Sequence, residues 1–119
     1  YIAGSSMGGL MSLYALMEYN HVFSRAAALS PSLWVDSRKV KNMISKANLV
    51  PNTVLYMDYG SEEIKNHRSM NRIYGNITSQ LIQKGVLLDS RIVPGGEHSE
   101  ASWEKQIPVF MKVFAYNGD

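Results

Sequence analysis

The sequence contains no cysteine. Disulfide staples and thiolate chemistry are excluded, although that alone does not fix the compartment. No apolar run approaches the roughly 18 residues of a membrane span, and no charged-then-apolar leader is visible. The expectation is a chain without a membrane partner, its compartment undetermined and the cytoplasm the working assumption. An excess of one charge is missing as well: 12 Lys and Arg against 10 Asp and Glu leave a formal net charge of +2. The basic residues are scattered, and the densest cluster, Arg38-Lys39-Val40-Lys41, reads as the wet face of a helix. No nucleic-acid partner is expected.

What is present suits one modest domain with one core: 119 residues, 45% hydrophobic and 18% charged. After Ser6, the residues Met7, Leu10, Met11, Tyr14 and Met17 recur at helical spacing, and Leu13 and Leu16 widen the stripe. This pattern predicts a buried helix stopping near Asn20. Arg25 to Ser30 is short, apolar and bounded by turn residues, as a buried parallel strand would be. Asp36-Ser37 offers an N-cap for a helix to about Ala47, and Pro51-Asn52 breaks the chain before the β-rich run ending at Gly60. From about Asn66 to Lys84, the stripe of Met70, Ile73, Ile77 and Leu81 predicts a helix closed by Gly85. Leu87 to Val93 reads as the next strand. A final helix is striped by Trp103, Ile107, Phe110, Met111 and Phe114, with Pro108 interrupting it near Gln106.

Strands alternating with helices predict an α/β fold with a parallel sheet flanked by helices. Only Tyr1, Ile2 and Ala3 precede the first turn, so residues 1–119 are expected to be a single partial domain, the C-terminal half of a larger one. Its sheet would keep an open edge on which a second copy can pair as a homo-oligomer.

The opening segment carries the chemistry. Gly4-Ser5-Ser6-Met7-Gly8 is G-x-S-x-G, the nucleophile elbow, in which a strained strand-to-helix turn lifts a serine hydroxyl above the sheet. Glycines flank the serine because strand and helix approach closely, and the Met7 N–H would face a developing oxyanion at a helix N-terminus. A glycine-rich helix cap is the alternative. A phosphate loop does not fit, since no Lys follows Gly9 and no G-x-G-x-x-G is present.

A serine nucleophile needs a base. Of the three histidines, His21 and His67 read as surface or capping residues. His98 follows the last strand in a glycine-loosened loop, where α/β-hydrolases place the histidine of a Ser, acid, His order. The acid belongs after the preceding strand, where Asp58, Glu62 and Glu63 are candidates. Asp58 lies within the strand end and would cap the turn, and Glu62 would point away. Glu63, in the loop, could hold the His98 tautomer, with Asp58 in reserve.

Together, "GSSMGG", "ALSPSLW", "YMDYGSEE" and "PGGEHSEASW" resemble the putative esterase family of α/β-hydrolases, and most of all its siderophore-esterase-like branch. The family also includes feruloyl esterases and S-formylglutathione hydrolase. The resemblance spans roughly Ile2 to Phe114. It implies Ser6 as nucleophile, His98 as base and Glu63 as acid of a serine carboxylic-ester hydrolase acting on a small-molecule ester. Some relatives manage with a Ser-His pair. No metal or organic cofactor is implied. The family's N-terminal half, with its second oxyanion donor, would lie upstream of Tyr1. Trp34 would wall the substrate pocket or pack beneath its own loop. Trp103 is expected to be structural, and Arg68 and Arg72 to meet an anionic substrate or to be solvated helix charges. A non-catalytic hydrolase-like scaffold and an acyltransferase with the same three residues are the alternatives.

Overall fold

In the computed structural model, four short runs form four strands: β1 (Ile2–Ser5), β2 (Arg25–Leu29), β3 (Val54–Gly60) and β4 (Leu87–Val93). The structure describes residues 1–35, 37–66 and 68–115, with Trp34, residues 64–66 and Arg68 described by backbone alone. The strands pair in chain order, and every pairing is parallel. Each crossover therefore steps in one direction, and the right-handed rule puts the connecting helices on one face.

That face is lined by Ala26 and Ala28 of β2 and by Leu55, Met57 and Tyr59 of β3. Against it pack α1 (Met7–Glu18), α2 (Ser37–Lys46) and α4 (Arg68–Gln83), through Leu13, Leu16, Ile44, Ile77 and Leu81. The alternate residues Ala27, Leu29 and Tyr56 point the other way and are covered by Phe110 and Phe114 of α6 (Ile107–Ala115). All seven residues of β3 are buried, as a strand with helices on both faces must be. The fold is α/β, with a parallel sheet flanked by helices as expected.

The departures have local causes. Met7 and Met11 are exposed, because α1 turns Gly9, Leu10, Leu13, Leu16 and Met17 inward instead. The seven-residue stripe was wider than the surface that β1 and β2 offer to cover it. The segment after β3 is not a loop but a short helix, α3 (Ser61–Asn66). The last helical pattern is two helices, α5 (Glu100–Glu104) and α6, divided at Lys105 and Gln106. Pro108 then occupies the first turn of α6, where its missing N–H leaves no bond unmade. Gly85 closes α4 at φ 94°, with the Val86 N–H on the Leu81 carbonyl. Asn20, just past α1, is buried; its amide donates to Thr53 Oγ1 at 3.1 Å and accepts the Val50 N–H at 2.6 Å. The expected cap at Asp36 lies outside the described residues. Among the described residues no helix is long and apolar enough to cross a membrane.

Candidate active site

β1 ends at Ser5 and α1 begins at Met7, so Ser6 makes the turn alone, at φ 56° and ψ −120°. An L residue holds such a conformation at roughly 1–3 kcal/mol and only when its surroundings impose it. They do so here: the Ser6 N–H donates to the Leu29 carbonyl at 2.9 Å, and its own carbonyl receives the N–H groups of Leu10 at 3.1 Å and Ser32 at 3.2 Å. The close approach falls on Gly4, where a Cβ would sit 2.4 Å from the Gly8 oxygen. Gly8 itself has open space, whereas a Cβ on Gly9 would lie 3.0 Å from the Leu29 oxygen. The sequence pattern points to both flanking glycines; sterics require Gly4 and, less tightly, Gly9, but not Gly8. The first ladder bond of α1 runs from Leu10 to Ser6, so the Met7 amide stands ahead of it at the positive end of the helix.

The other two side chains arrive on loops that cross glycine on glycine. A Cβ on Gly60, at the end of β3, would lie 2.1 Å from the Gly96 oxygen. The crossing is stitched by Glu62 N–H to the Gly96 carbonyl at 3.1 Å and Gly95 N–H to Ser61 Oγ at 2.8 Å. Gly95 takes φ 73°, which frees the chain to turn back over the sheet edge. His98 is thereby set between two partners: Nδ1 lies 2.6 Å from Glu63 Oε1, and Nε2 lies 3.0 Å from Ser6 Oγ. All three groups stand at the carboxyl edge of the sheet. With an ionised Glu63 as acceptor, Nδ1 carries the proton and Nε2 is left to accept from the Ser6 hydroxyl.

Glu63 sits in the first turn of α3 with its side chain 4% exposed, against 41% for His98. Its second oxygen, Oε2, accepts the Gly60 N–H at 2.7 Å and the Ser30 hydroxyl at 2.7 Å. Trp103 is more than packing: its ring meets the His98 ring edge to face at 4.9 Å, and its indole N–H donates to Ser30 Oγ at 3.0 Å. Asp58 does not reach His98. Instead of capping the turn after its own strand, it accepts the Ser30 N–H at 3.2 Å and the Tyr56 hydroxyl at 2.7 Å. Burial raises the Asp58 pKa and pushes that of Tyr56 well above its ordinary value, so Tyr56 stays a donor. Ser30 escaped sequence reasoning. The dipeptide Ser30-Pro31 after a buried strand marks a turn, but nothing in it announces a hydroxyl turned inward.

The Trp34 side chain, the Arg68 side chain and His67 lie outside the described residues. Arg72 is on the exposed side of α4, and His21 is exposed. Among the described residues no cluster of His, Cys, Asp and Glu could hold a metal ion.

A parallel sheet with a strained serine after one strand and a histidine loop after a later one is an α/β-hydrolase-like arrangement. The chain belongs to the family described as "Putative esterase", which matches residues 1–113. It is 32% identical over 81 residues to "Uncharacterized protein YbbA" of Bacillus subtilis (strain 168), covering 67% of this chain and 32% of that protein. Among solved structures, an IroE-like serine hydrolase from Shewanella oneidensis superposes with a TM-score of 0.70 at 22% identity, over 97% of this chain and 40% of its own. The siderophore hydrolase EstA from Aspergillus nidulans gives 0.67 at 22% identity, over 97% and 47%. A ferulic acid esterase gives 0.65 at 16% identity, over 94% and 48%. These likenesses concern the fold, and the chain spans less than half the length of each.

Proposed function

We propose that this chain supplies the reacting groups of a serine carboxylic-ester hydrolase. The observation that carries the reading is the line Ser6, His98, Glu63, with links of 3.0 Å and 2.6 Å, starting from a serine at φ 56°. Ser6 Oγ attacks the ester carbonyl while His98 Nε2 takes its proton, and Glu63 steadies the imidazolium. The tetrahedral oxyanion is met by the Met7 amide. Collapse breaks the ester C–O bond, and His98 returns the proton to the departing alcohol. Water, deprotonated by the same imidazole, then releases the acid from Ser6.

Residues 1–119 act as part of a larger catalytic domain whose remainder provides the second oxyanion donor, the strands beyond β1 and the rest of the pocket. The substrate class is a small-molecule ester of siderophore, aryl or carbohydrate type, in keeping with the names that the structural relatives carry. The free edge of β1 is covered by this remainder or by a second copy, which sedimentation of the whole protein distinguishes.

Kinetics of the whole protein on a chromogenic ester test the reading. Ser6→Ala is expected to lower kcat by about 10⁴-fold or more, the scale on which loss of a covalent nucleophile registers. Glu63→Ala is expected to lower it less. Parent-like turnover by Ser6→Ala removes the reading.

A further inference from the structure

Ser30 closes β2 at 1% exposure and φ 44°, a left-handed conformation that a serine adopts reluctantly. Its N–H is held twice, by the Asp58 main-chain oxygen at 2.9 Å and Asp58 Oδ1 at 3.2 Å. A buried carboxyl group, which also accepts the Tyr56 hydroxyl, thus adds a second acceptor to an amide that already has a main-chain partner. The hydroxyl is equally constrained. An indole N–H can only donate, so Ser30 Oγ accepts from Trp103 at 3.0 Å, and its single proton goes to Glu63 Oε2 at 2.7 Å. The Gly60 N–H meets the same oxygen at 2.7 Å. Two donors on Oε2 fix the plane of the carboxylate and turn Oε1 to the histidine Nδ1 at 2.6 Å.

We propose that Ser30 is a positioning residue of the ester hydrolase: its hydroxyl, locked by Trp103 and by a strained backbone, aims Glu63 at His98. This rests on the hydrolase reading above. Ser30 touches neither substrate nor reacting atoms, and its effect passes entirely through the carboxylate. Trp103 joins both ends of the device, because the ring that donates to Ser30 also confines the imidazole.

A double-mutant cycle in the whole protein, assayed on p-nitrophenyl acetate, tests it. Ser30→Ala is expected to lower kcat about 10- to 100-fold, the worth of a hydrogen bond to a charged group, with KM changed by less than about twofold. In a Glu63→Ala background the same substitution is expected to add no more than about twofold, since the residue it acts through is gone. Ser30→Gly, which relaxes the positive φ while removing the hydroxyl, is expected to lose as much as Ser30→Ala and carries the test if the alanine variant does not fold. Equal losses in both backgrounds, or parent-like turnover by Ser30→Gly, overturn the proposal. If Ser6→Ala is inactive while the Ser30 variants are parent-like, this inference alone fails. If Ser6→Ala remains active, the hydrolase reading fails with it.

Discussion

At the amino ends of the strands the chain turns left-handed at Asn52 (φ 65°) and Gly85 (φ 94°); at the carboxyl ends it does so at Ser6 (56°), Ser30 (44°) and Gly95 (73°). Asparagine and glycine adopt that conformation readily, whereas serine does not. The amino rim needs only to be stable, and its buried polar side chains Asn20 and Thr53 are satisfied by each other and by the Val50 main chain, with no positive φ at any of the three. The carboxyl rim holds two serines in conformations that glycine would occupy more cheaply, and both hydroxyls are engaged: Ser6 with His98, Ser30 with Glu63 and Trp103. Strain retained where a less strained residue would serve is the mark of a site whose side chains are needed.

The contrast breaks first at the glycines that create the strained turn. Gly4→Ala, which drives a Cβ to 2.4 Å from the Gly8 oxygen, is expected to destabilise the fold by about 3 kcal/mol or more. Gly8→Ala, with nothing within 4 Å, is expected to stabilise it by roughly 0.5–1 kcal/mol through helix propensity. Denaturant midpoints of the two variants should move in opposite directions. Movement in the same direction would mean that the turn is not held by the Gly4 contact.

A smaller effect separates the rims themselves. Ser6→Gly is expected to gain about 1 kcal/mol of stability by releasing the backbone, while losing the hydroxyl proposed as nucleophile. Asn52→Gly, at a position already suited to its residue, should change stability by less than about 0.5 kcal/mol. If both substitutions behave alike, the carboxyl rim is no more strained than the amino rim.

The smallest effect is pH-dependent and concerns Asp58. Burial is the leading cause of its raised pKa, with the Glu63 charge adding to it and the Tyr56 and Ser30 hydrogen bonds opposing. A carboxyl whose folded pKa exceeds its unfolded value contributes stability that is complete below that unfolded value, here 3.8, and lost as pH rises through the folded pKa. Asp58→Asn keeps an acceptor for Ser30 and donates to Tyr56, whose hydroxyl can then turn to the Gln106 amide 3.2 Å away. The variant's stability relative to the parent should therefore improve as pH rises above 3.8 and through the raised folded pKa of Asp58. A difference that does not change over that range would show that the Asp58 charge is stabilised elsewhere.

Much of this arrangement is legible in the sequence because it rests on local patterns. Ser6 is marked by glycines and a following helix, His98 by a glycine loop after the last strand, and the break near Gln106 by Pro108. Glu63 could be placed by its distance past Gly60 even though its segment folds as α3 rather than as a loop. The hidden parts are the ones that depend on contacts distant in sequence. An apolar stripe on α1 does not say how much sheet there is to cover it, so Met7 and Met11 read as buried. In G-x-S-x-G the glycine that matters is set by which backbone lies opposite, and that is Gly4 against Gly8. Asp58 and Ser30 are 28 residues apart and Ser30 and Trp103 are 73 apart, so their hydrogen bonds leave no trace in any window of sequence.

The most direct test of a poised nucleophile at the elbow is fluorophosphonate treatment of the whole protein followed by peptide mass analysis. A single covalent adduct on Ser6 is predicted, absent from Ser6→Ala and strongly slowed in His98→Ala. An unmodified Ser6, or an adduct formed equally well without His98, would contradict it.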